Sequence, residues 1–318
     1  MILGVDALNL EADRRGMGRY VRSVLRGLKT IKDVEVRLIF RNMLRDLRKT
    51  DVDVLWYPWN GIRFTLPVPK IVSIYDAFAF TFPARNIVAR LRERRPIRRA
   101  VRMADEVTTI SNWSAAQLYA QLGIAREKIT ILPPIIDSFW RVDPDAERGD
   151  FILFVAAPEE RKNARFLFGA FEQAFGDGSV ELRVAGKLSV RDATAFEKLR
   201  ARKSRVVAGD AELRTLYGSS LAVAIPSLAE GYGIVALEAM ACGAPVIAAN
   251  ATALPEACDG AALLVAPDDR TEWIEAMRRI ARDRPLRETL RAAGFARVAR
   301  IDPLAPAKGI ANLARAHV

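Results

Sequence analysis

The chain has 318 residues, 51% of them hydrophobic, and a formal net charge of +11. That length suits two domains with a core each, while no stretch approaches the roughly eighteen uninterrupted apolar residues of a membrane span and the opening MILGVDALNLEADRR lacks the basic start and long apolar middle of a secretory signal. Cys242 and Cys258 are the only cysteines, too few for a disulfide framework and without metal-ligand spacing, so a cytoplasmic location is expected.

The charge is uneven: residues 1–148 carry a net of +9 and residues 149–318 a net of +2. The excess gathers in Arg85–Arg102, where Arg90, Arg92, Arg94, Arg95, Arg98, Arg99 and Arg102 crowd one expected helix. Such a cluster suits an anionic lipid surface, each basic residue contributing on the order of 1 kcal/mol near it. A solvated face on an Arg-rich protein is the plain alternative. Nucleic acid would feel the same attraction but is not assigned as a partner.

Met1–Asp6 reads as the first strand, and the polar stretch Glu11–Arg15 follows it. Gly16-Met17-Gly18-Arg19-Tyr20 then opens a helix in which Met17, Tyr20, Val21, Val24, Leu25 and Leu28 recur at helical spacing. A glycine pair opening a helix after a first strand can admit a phosphate or a sugar, which makes Gly16 and Gly18 candidate binding residues. Val34–Phe40, Val52–Tyr57, Lys70–Tyr75, Glu106–Ser111 and Lys128–Leu132 continue the strands, with a helix from Asn112 to Leu122 among them. Short apolar runs alternating with helical stretches predict a parallel α/β sheet. Residues 137–149, rich in Asp, Pro and Glu, read as a linker, giving expected domains at 1–148 and 149–318.

A second series begins with Phe151–Ala156, and Pro158-Glu159-Glu160-Arg161-Lys162-Asn163 leads into a helix whose apolar face is Phe166, Leu167, Ala170, Phe171 and Ala174. Arg161 and Lys162 stand at the carboxyl end of a strand, where doubly wound sheets bind ligands; Arg can fork onto two phosphate oxygens and Lys supplies a point charge. Strands are expected at Val180–Ala185, Ser204–Ala208, Leu221–Ile225, Pro245–Ala249 and Leu263–Val265. Asp210 is expected to cap a helix over Ala211–Tyr217 and Asp268 a helix through Trp273, Ile274, Met277 and Ile280; the rest to Val318 reads as helical and Arg-rich.

The informative stretch is Ile225–Ala241. A buried strand ends at Pro226, a loop carries Glu230, Gly231 and Gly233, and a helix starts near Gly233 with Ile234, Leu237 and Met240 on its inner face. The first amides of that helix favour an anion. Glu230 and Glu238 frame them, and carboxylates accept hydrogen bonds from sugar hydroxyls.

The string EGYGIVALEAMACGAPVIA resembles the donor-site signature, Glu-x7-Glu, of the family-four retaining glycosyltransferases of the GT-B fold, a group 1, mannosyltransferase-like class. The resemblance implies an α/β protein of two Rossmann-like domains facing across a cleft, acceptor on the first and donor on the second. It implies that Glu230 faces the transferred sugar, Glu238 the nucleotide ribose, and the amides around Gly231, Gly233, Ile234 and Val235 the phosphates. Arg161 and Lys162 would be the donor-phosphate pair, with the backbone near Val207 seating the base. Gly16 and Gly18 resemble the family's GxGRY opening and are grouped with the donor-binding residues. Where the family usually reads His-Asp, this chain has Tyr75-Asp76. A tyrosine, with an ordinary pKa near 10, is a poor general base at neutral pH; Tyr75 is expected to shape the acceptor cleft, and Asp76 is kept as a catalytic candidate.

The expected function is therefore retaining transfer of a hexose from a nucleotide diphosphate sugar to a glycan or lipid-linked acceptor in polysaccharide biosynthesis, without metal or further cofactor, in the cytoplasm or peripheral to its membrane. A nucleotide-sugar epimerase and a non-catalytic donor-binding relative remain as alternatives. His317 is the only histidine, which excludes a Ser-His-Asp hydrolase.

Overall fold

The computed structural model describes residues 1–13, 16–48, 51–83 and 86–318. Arg14 and Arg15 of the polar stretch, and Arg85 at the head of the basic run, lie outside the described residues. The chain divides into two compact units: Met1–Ile135 with Asp302–Val318, and Ile136–Ile301. The expected boundary at 148/149 therefore moves forward, and the last seventeen residues leave the second unit for the first.

In the first unit the strands β1 (Ile2–Asp6), β2 (Glu35–Ile39), β3 (Val54–Tyr57), β4 (Lys70–Ser73), β5 (Glu106–Thr109) and β6 (Ile129–Ile131) form one sheet in the order β2-β1-β3-β4-β5-β6. Every pairing is parallel. Helices α1 (Gly16–Leu28), α2 (Phe78–Thr81), α3 (Ile87–Met103) and α4 (Asn112–Leu122) lie between the strands in the chain. Alternation along β3 shows why both faces need cover: Val54 and Trp56 enter one apolar cluster with Val21, Val24 and Leu28 of α1, while Leu55 and Tyr57 enter the other with Ile97 and Ala100 of α3 and Leu118 of α4.

The second unit holds β7 (Phe151–Ala156), β8 (Glu181–Gly186), β9 (Lys203–Val206), β10 (Ala222–Ile225), β11 (Val246–Ala249) and β12 (Leu263–Val265) in the order β12-β11-β10-β7-β8-β9. All its pairings are parallel. Its helices are α5 (Ala164–Phe175), α6 (Val190–Glu197), α7 (Asp210–Ser219), α8 (Ile234–Ala241), α9 (Leu254–Cys258), α10 (Arg270–Arg282) and α11 (Arg284–Ala299). Renumbered within the unit, that strand order is the 3-2-1-4-5-6 arrangement of a dinucleotide-binding sheet.

All twelve strands stand where the sequence places them, with ends shifted by a residue or two. Helices α2, α6 and α9 were not expected. Two caps are corrected: Asp269, not Asp268, accepts the Glu272 amide at 3.0 Å at the start of α10, and Gly209 rather than Asp210 caps α7.

The larger correction is α12 (Ala305–Arg315). It packs on α1 and contributes Ala307, Ile310, Ala311 and Ala314 to the first unit's core. Arg315 forks onto Asp33 through bonds of 2.8 and 2.7 Å, and the His317 ring lies 3.3 Å from Glu106 Oε1. Among the described residues no helix is long and apolar enough to cross a membrane.

Candidate functional site

In the second unit the strand order reverses between β7 and β10. Doubly wound sheets bind their ligands in the crevice beyond the carboxyl ends of the strands at such a point. The chain leaving β7 carries Arg161 and Lys162; the chain leaving β10 carries Ser227 and Glu230. Topology thus joins side chains almost seventy residues apart.

Glu230 is 9% exposed, and both its oxygens are engaged. Oε1 accepts from Lys162 Nζ at 2.6 Å and from Ser227 Oγ at 2.7 Å, and Oε2 accepts from Arg161 Nη1 at 3.1 Å. Arg161 Nη1 also donates to Ala229 O at 2.9 Å, and its other terminal nitrogen pairs with Glu159. Burial pushes the Glu230 carboxyl up, but attraction to Lys162 and Arg161, with hydrogen bonds from Lys162 and Ser227, outweighs it and holds the group below its ordinary range.

Special backbone conformations surround this cluster. Asn163 takes the left-handed region at φ 56°, turning the chain from Lys162 into α5, and its side-chain amide donates to Pro267 O at 3.3 Å. Leu228 N donates to Arg161 O at 2.7 Å and laces the two loops together. Gly233 caps α8 at φ 109°, and a Cβ there would stand 2.8 Å from Leu254 Cδ2. The conformation disfavours any residue with a Cβ, and a Cβ there would also push the Leu254 methyl aside. Thr252 stands at φ 54°, a conformation that a β-branched residue rarely adopts.

The β10–α8 connection also brings Gly231, Gly233, Ile234 and Val235 to this point. Ile234 and Val235 are half-buried and open α8, so their amides have no intrahelical acceptor. Glu238 lies one turn further, 2% exposed, and its Oε2 accepts a 3.4 Å hydrogen bond from Tyr217 Oη. Val207 is 96% exposed, just beyond the edge strand β9. The ensemble offers two cations, a run of amides and buried carboxylates, which is suited to hold a diphosphate beside hydroxyl-bearing groups.

The remaining predicted residues belong to the first unit. Gly18 has a packing reason to be glycine, because a Cβ would lie 1.8 Å from Asp13 O in a loop that Arg22 ties down through Leu10 O and Asp13 O at 3.0 and 2.8 Å. At Gly16 an added Cβ would meet nothing within 4 Å. Tyr75 is 5% exposed and belongs to the apolar core, edge-on to Tyr20 with ring centroids 5.4 Å apart. Its hydroxyl donates to Pro58 O at 2.9 Å, and burial, then the neighbouring Tyr20, push its pKa well above the ordinary tyrosine value. Asp76 Oδ1 accepts the Phe78 amide at 2.9 Å at the start of α2.

Sequence reasoning missed Ser227, Glu159, Tyr217 and Thr252. Ser227 carried a signal, a hydroxyl three positions before Glu230 in the same loop. Thr252 carried none, since it meets Glu230 only through the adjacency of β10 and β11.

Residues 149–283 match the family model described as glycosyl transferases group 1, and residues 14–138 match that of glycosyltransferase family 4. The MMP alpha-(1->4)-mannosyltransferase of Mycolicibacterium hassiacum is 31% identical over 194 residues, 58% of this chain and 47% of that protein. The chain thus aligns with about half the length of that relative. Among solved structures, the sucrose-phosphate synthase from Thermosynechococcus elongatus superimposes with a TM-score of 0.76 at 20% identity, over 99% of this chain and 98% of the other. HepE of Anabaena, in complex with UDP-glucose, superimposes with a TM-score of 0.75 at 16% identity, over 99% of each chain. These likenesses assign the fold, that of the GT-B proteins.

Proposed function

Because the chain belongs to the group 1 glycosyltransferases of family 4, we propose that it transfers a hexose from a nucleoside diphosphate sugar to a glycan or lipid-linked acceptor, with retention of anomeric configuration. The observation that carries this reading is the Arg161–Lys162–Glu230 cluster at the strand-order reversal of the second unit. As the sugar–phosphate bond breaks, negative charge grows on the diphosphate. Arg161, Lys162 and the first amides of α8 answer that charge where it develops, so transfer is expected to survive a chelator. Glu230 would accept from the hexose hydroxyls and Glu238 from the ribose. The Tyr75 hydroxyl already donates inside the core and resists ionisation, which favours front-face transfer with the departing phosphate taking the acceptor proton.

The acceptor is expected at the first unit, and an anionic membrane surface is its proposed neighbour. On α3, Ile87, Val88 and Leu91 are 69%, 68% and 60% exposed, an apolar first turn continued by the exposed Arg92, Arg95 and Arg99. Arg94 and Arg98 are drawn down over the Phe80 ring, at 5.1 and 5.6 Å from its centroid. Apolar residues beside basic ones suit the interface of a bilayer rich in acidic lipids.

The test is product analysis with a panel of UDP- and GDP-hexoses, using chromatography for released nucleotide. UDP-glucose leads the panel because HepE binds it, and mannosyl donors follow because of the mannosyltransferase relative. Release of nucleoside diphosphate with a retained-configuration product is expected. Interconversion of the donor without release would mark an epimerase, and binding without turnover a non-catalytic relative.

A further inference from the structure

Thr252 follows β11, in the loop beside the one that carries Glu230. Its hydroxyl meets both polar groups of the Glu230 backbone: it accepts from Glu230 N at 3.0 Å and donates to Glu230 O at 3.3 Å. One side-chain oxygen therefore grips the main chain of the residue whose carboxylate meets Lys162 and Arg161. To reach there Thr252 holds φ at 54°, a region that disfavours β-branched side chains. Two residues on, Leu254 Cδ2 packs over Gly233 where a Cβ would otherwise stand. The loop after β11 thus braces the Glu230–Gly233 segment at both ends.

A residue that had only to turn the chain at this φ would be better as glycine or asparagine. Backbone strain persists where the surroundings over-determine it, and it concentrates at functional sites. We propose that Thr252 is a positioning residue that clamps the Glu230 peptide and so sets the direction of the Glu230 carboxylate for transfer. The inference rests on the reading of Glu230 as the carboxylate facing the donor sugar. Without the clamp the Ser227–Glu230 loop rotates more freely, and the carboxylate spends less time aligned with the hexose. The cost therefore falls on kcat more than on the donor KM.

Three variants separate this role from simple folding support. Thr252→Ser keeps the hydroxyl, Thr252→Val keeps the branched shape without it, and Thr252→Gly removes both hydroxyl and strain. The expectation is that Ser retains kcat within about threefold, while Val and Gly lose tenfold or more with donor KM changed less than threefold. Val and Gly lose the same hydrogen bonds but only Gly is relieved of the φ penalty, so Gly should melt no lower than Val, and an equal loss of kcat in the two would part activity from stability. Hydrogen exchange supplies a readout independent of turnover: peptides spanning residues 227–233 should exchange faster in Val and Gly and unchanged in Ser. Full kcat in Val, or unaltered exchange in both Val and Gly, overturns the clamp. An inactive wild type across the sugar panel sinks the transferase reading instead, and the exchange result still decides the clamp.

Discussion

Lys162 Nζ stands 2.6 Å from Glu230 Oε1, although the two residues leave different strands of the second sheet. With Arg161 on the other oxygen, the carboxylate neutralises the cations proposed to hold the donor diphosphate. Nucleotide and Glu230 therefore compete for the same positive charge. Glu230→Gln removes the negative charge and keeps the shape. The free variant should lose about 2 kcal/mol of stability, because two partly buried cations lose their counter-charge. UDP should then bind about tenfold tighter, ~1.4 kcal/mol, and raise the variant's melting temperature by more than it raises the wild type's. Calorimetry and thermal melts read both. A smaller UDP-induced shift in the variant would mean that Glu230 does not compete.

The carboxyl group of Glu230 also sets an acid limit. Its folded pKa is lowered from 4.5, so the stability it contributes is present above that unfolded value and is lost as pH falls through the lower folded one. Urea melts from pH 7 to pH 3 should show an acid-side loss that is smaller in Glu230→Gln. Parallel curves for the two proteins would remove Glu230 as its source.

Asp6 should behave with the opposite sign. It is fully buried at the end of β1; Oδ1 accepts from Leu8 N at 2.9 Å, and Oδ2 has no partner among the described residues. Burial raises its folded pKa above 3.8, against the Leu8 hydrogen bond and the charge of Arg63. Its contribution is therefore present below the unfolded pKa and lost as pH rises through the folded one. Asp6→Asn should gain on the order of 1 kcal/mol at pH 7, shrinking toward pH 4. A variant less stable at pH 7 would show that Oδ2 has a partner in solution.

Tyr75→Phe deletes only the hydroxyl and leaves Pro58 O without its donor. The expected loss is about 1–2 kcal/mol in stability and less than tenfold in turnover, under ~1.4 kcal/mol in activation free energy. A thousandfold loss of turnover with UDP affinity intact would make the hydroxyl part of the chemistry.

On α3 the apolar and basic parts can be tested apart. Replacing Ile87, Val88 and Leu91 with Ser should weaken binding to vesicles containing acidic lipid at every ionic strength. Replacing Arg92, Arg95 and Arg99 with Gln should abolish the salt-sensitive part. Co-sedimentation checks both, and a wild type that ignores acidic vesicles at low salt ends the membrane assignment.

Every strand was legible in the sequence, most plainly the central β7 and β10, because a parallel strand covered on both faces reads as an unbroken apolar run. Edge strands such as β2 and β9 keep charged residues and were placed by their position in the alternation of strands and helices. Phe151–Ala156 and Leu263–Val265 were placed to the residue. The Glu230–Glu238 stretch was legible too, since its glycines and carboxylates lie close together along the chain. Partners joined across the sheet were not. The contact of Lys162 with Glu230 depends on β7 lying beside β10, and that of Thr252 with Glu230 on β10 lying beside β11. Strand order is set by packing and crossover handedness rather than by any local residue pattern. The same reason hid the fate of α12: its apolar stripe announces a buried face, but only the assembled core decides that the face closes on α1 in the first unit. Tyr75 gives the converse case. Standing where the family usually has the histidine of His-Asp, it was expected to shape the acceptor cleft, and the tertiary structure placed its ring against Tyr20 and its hydroxyl on Pro58, because a buried phenol must find an acceptor wherever the core provides one.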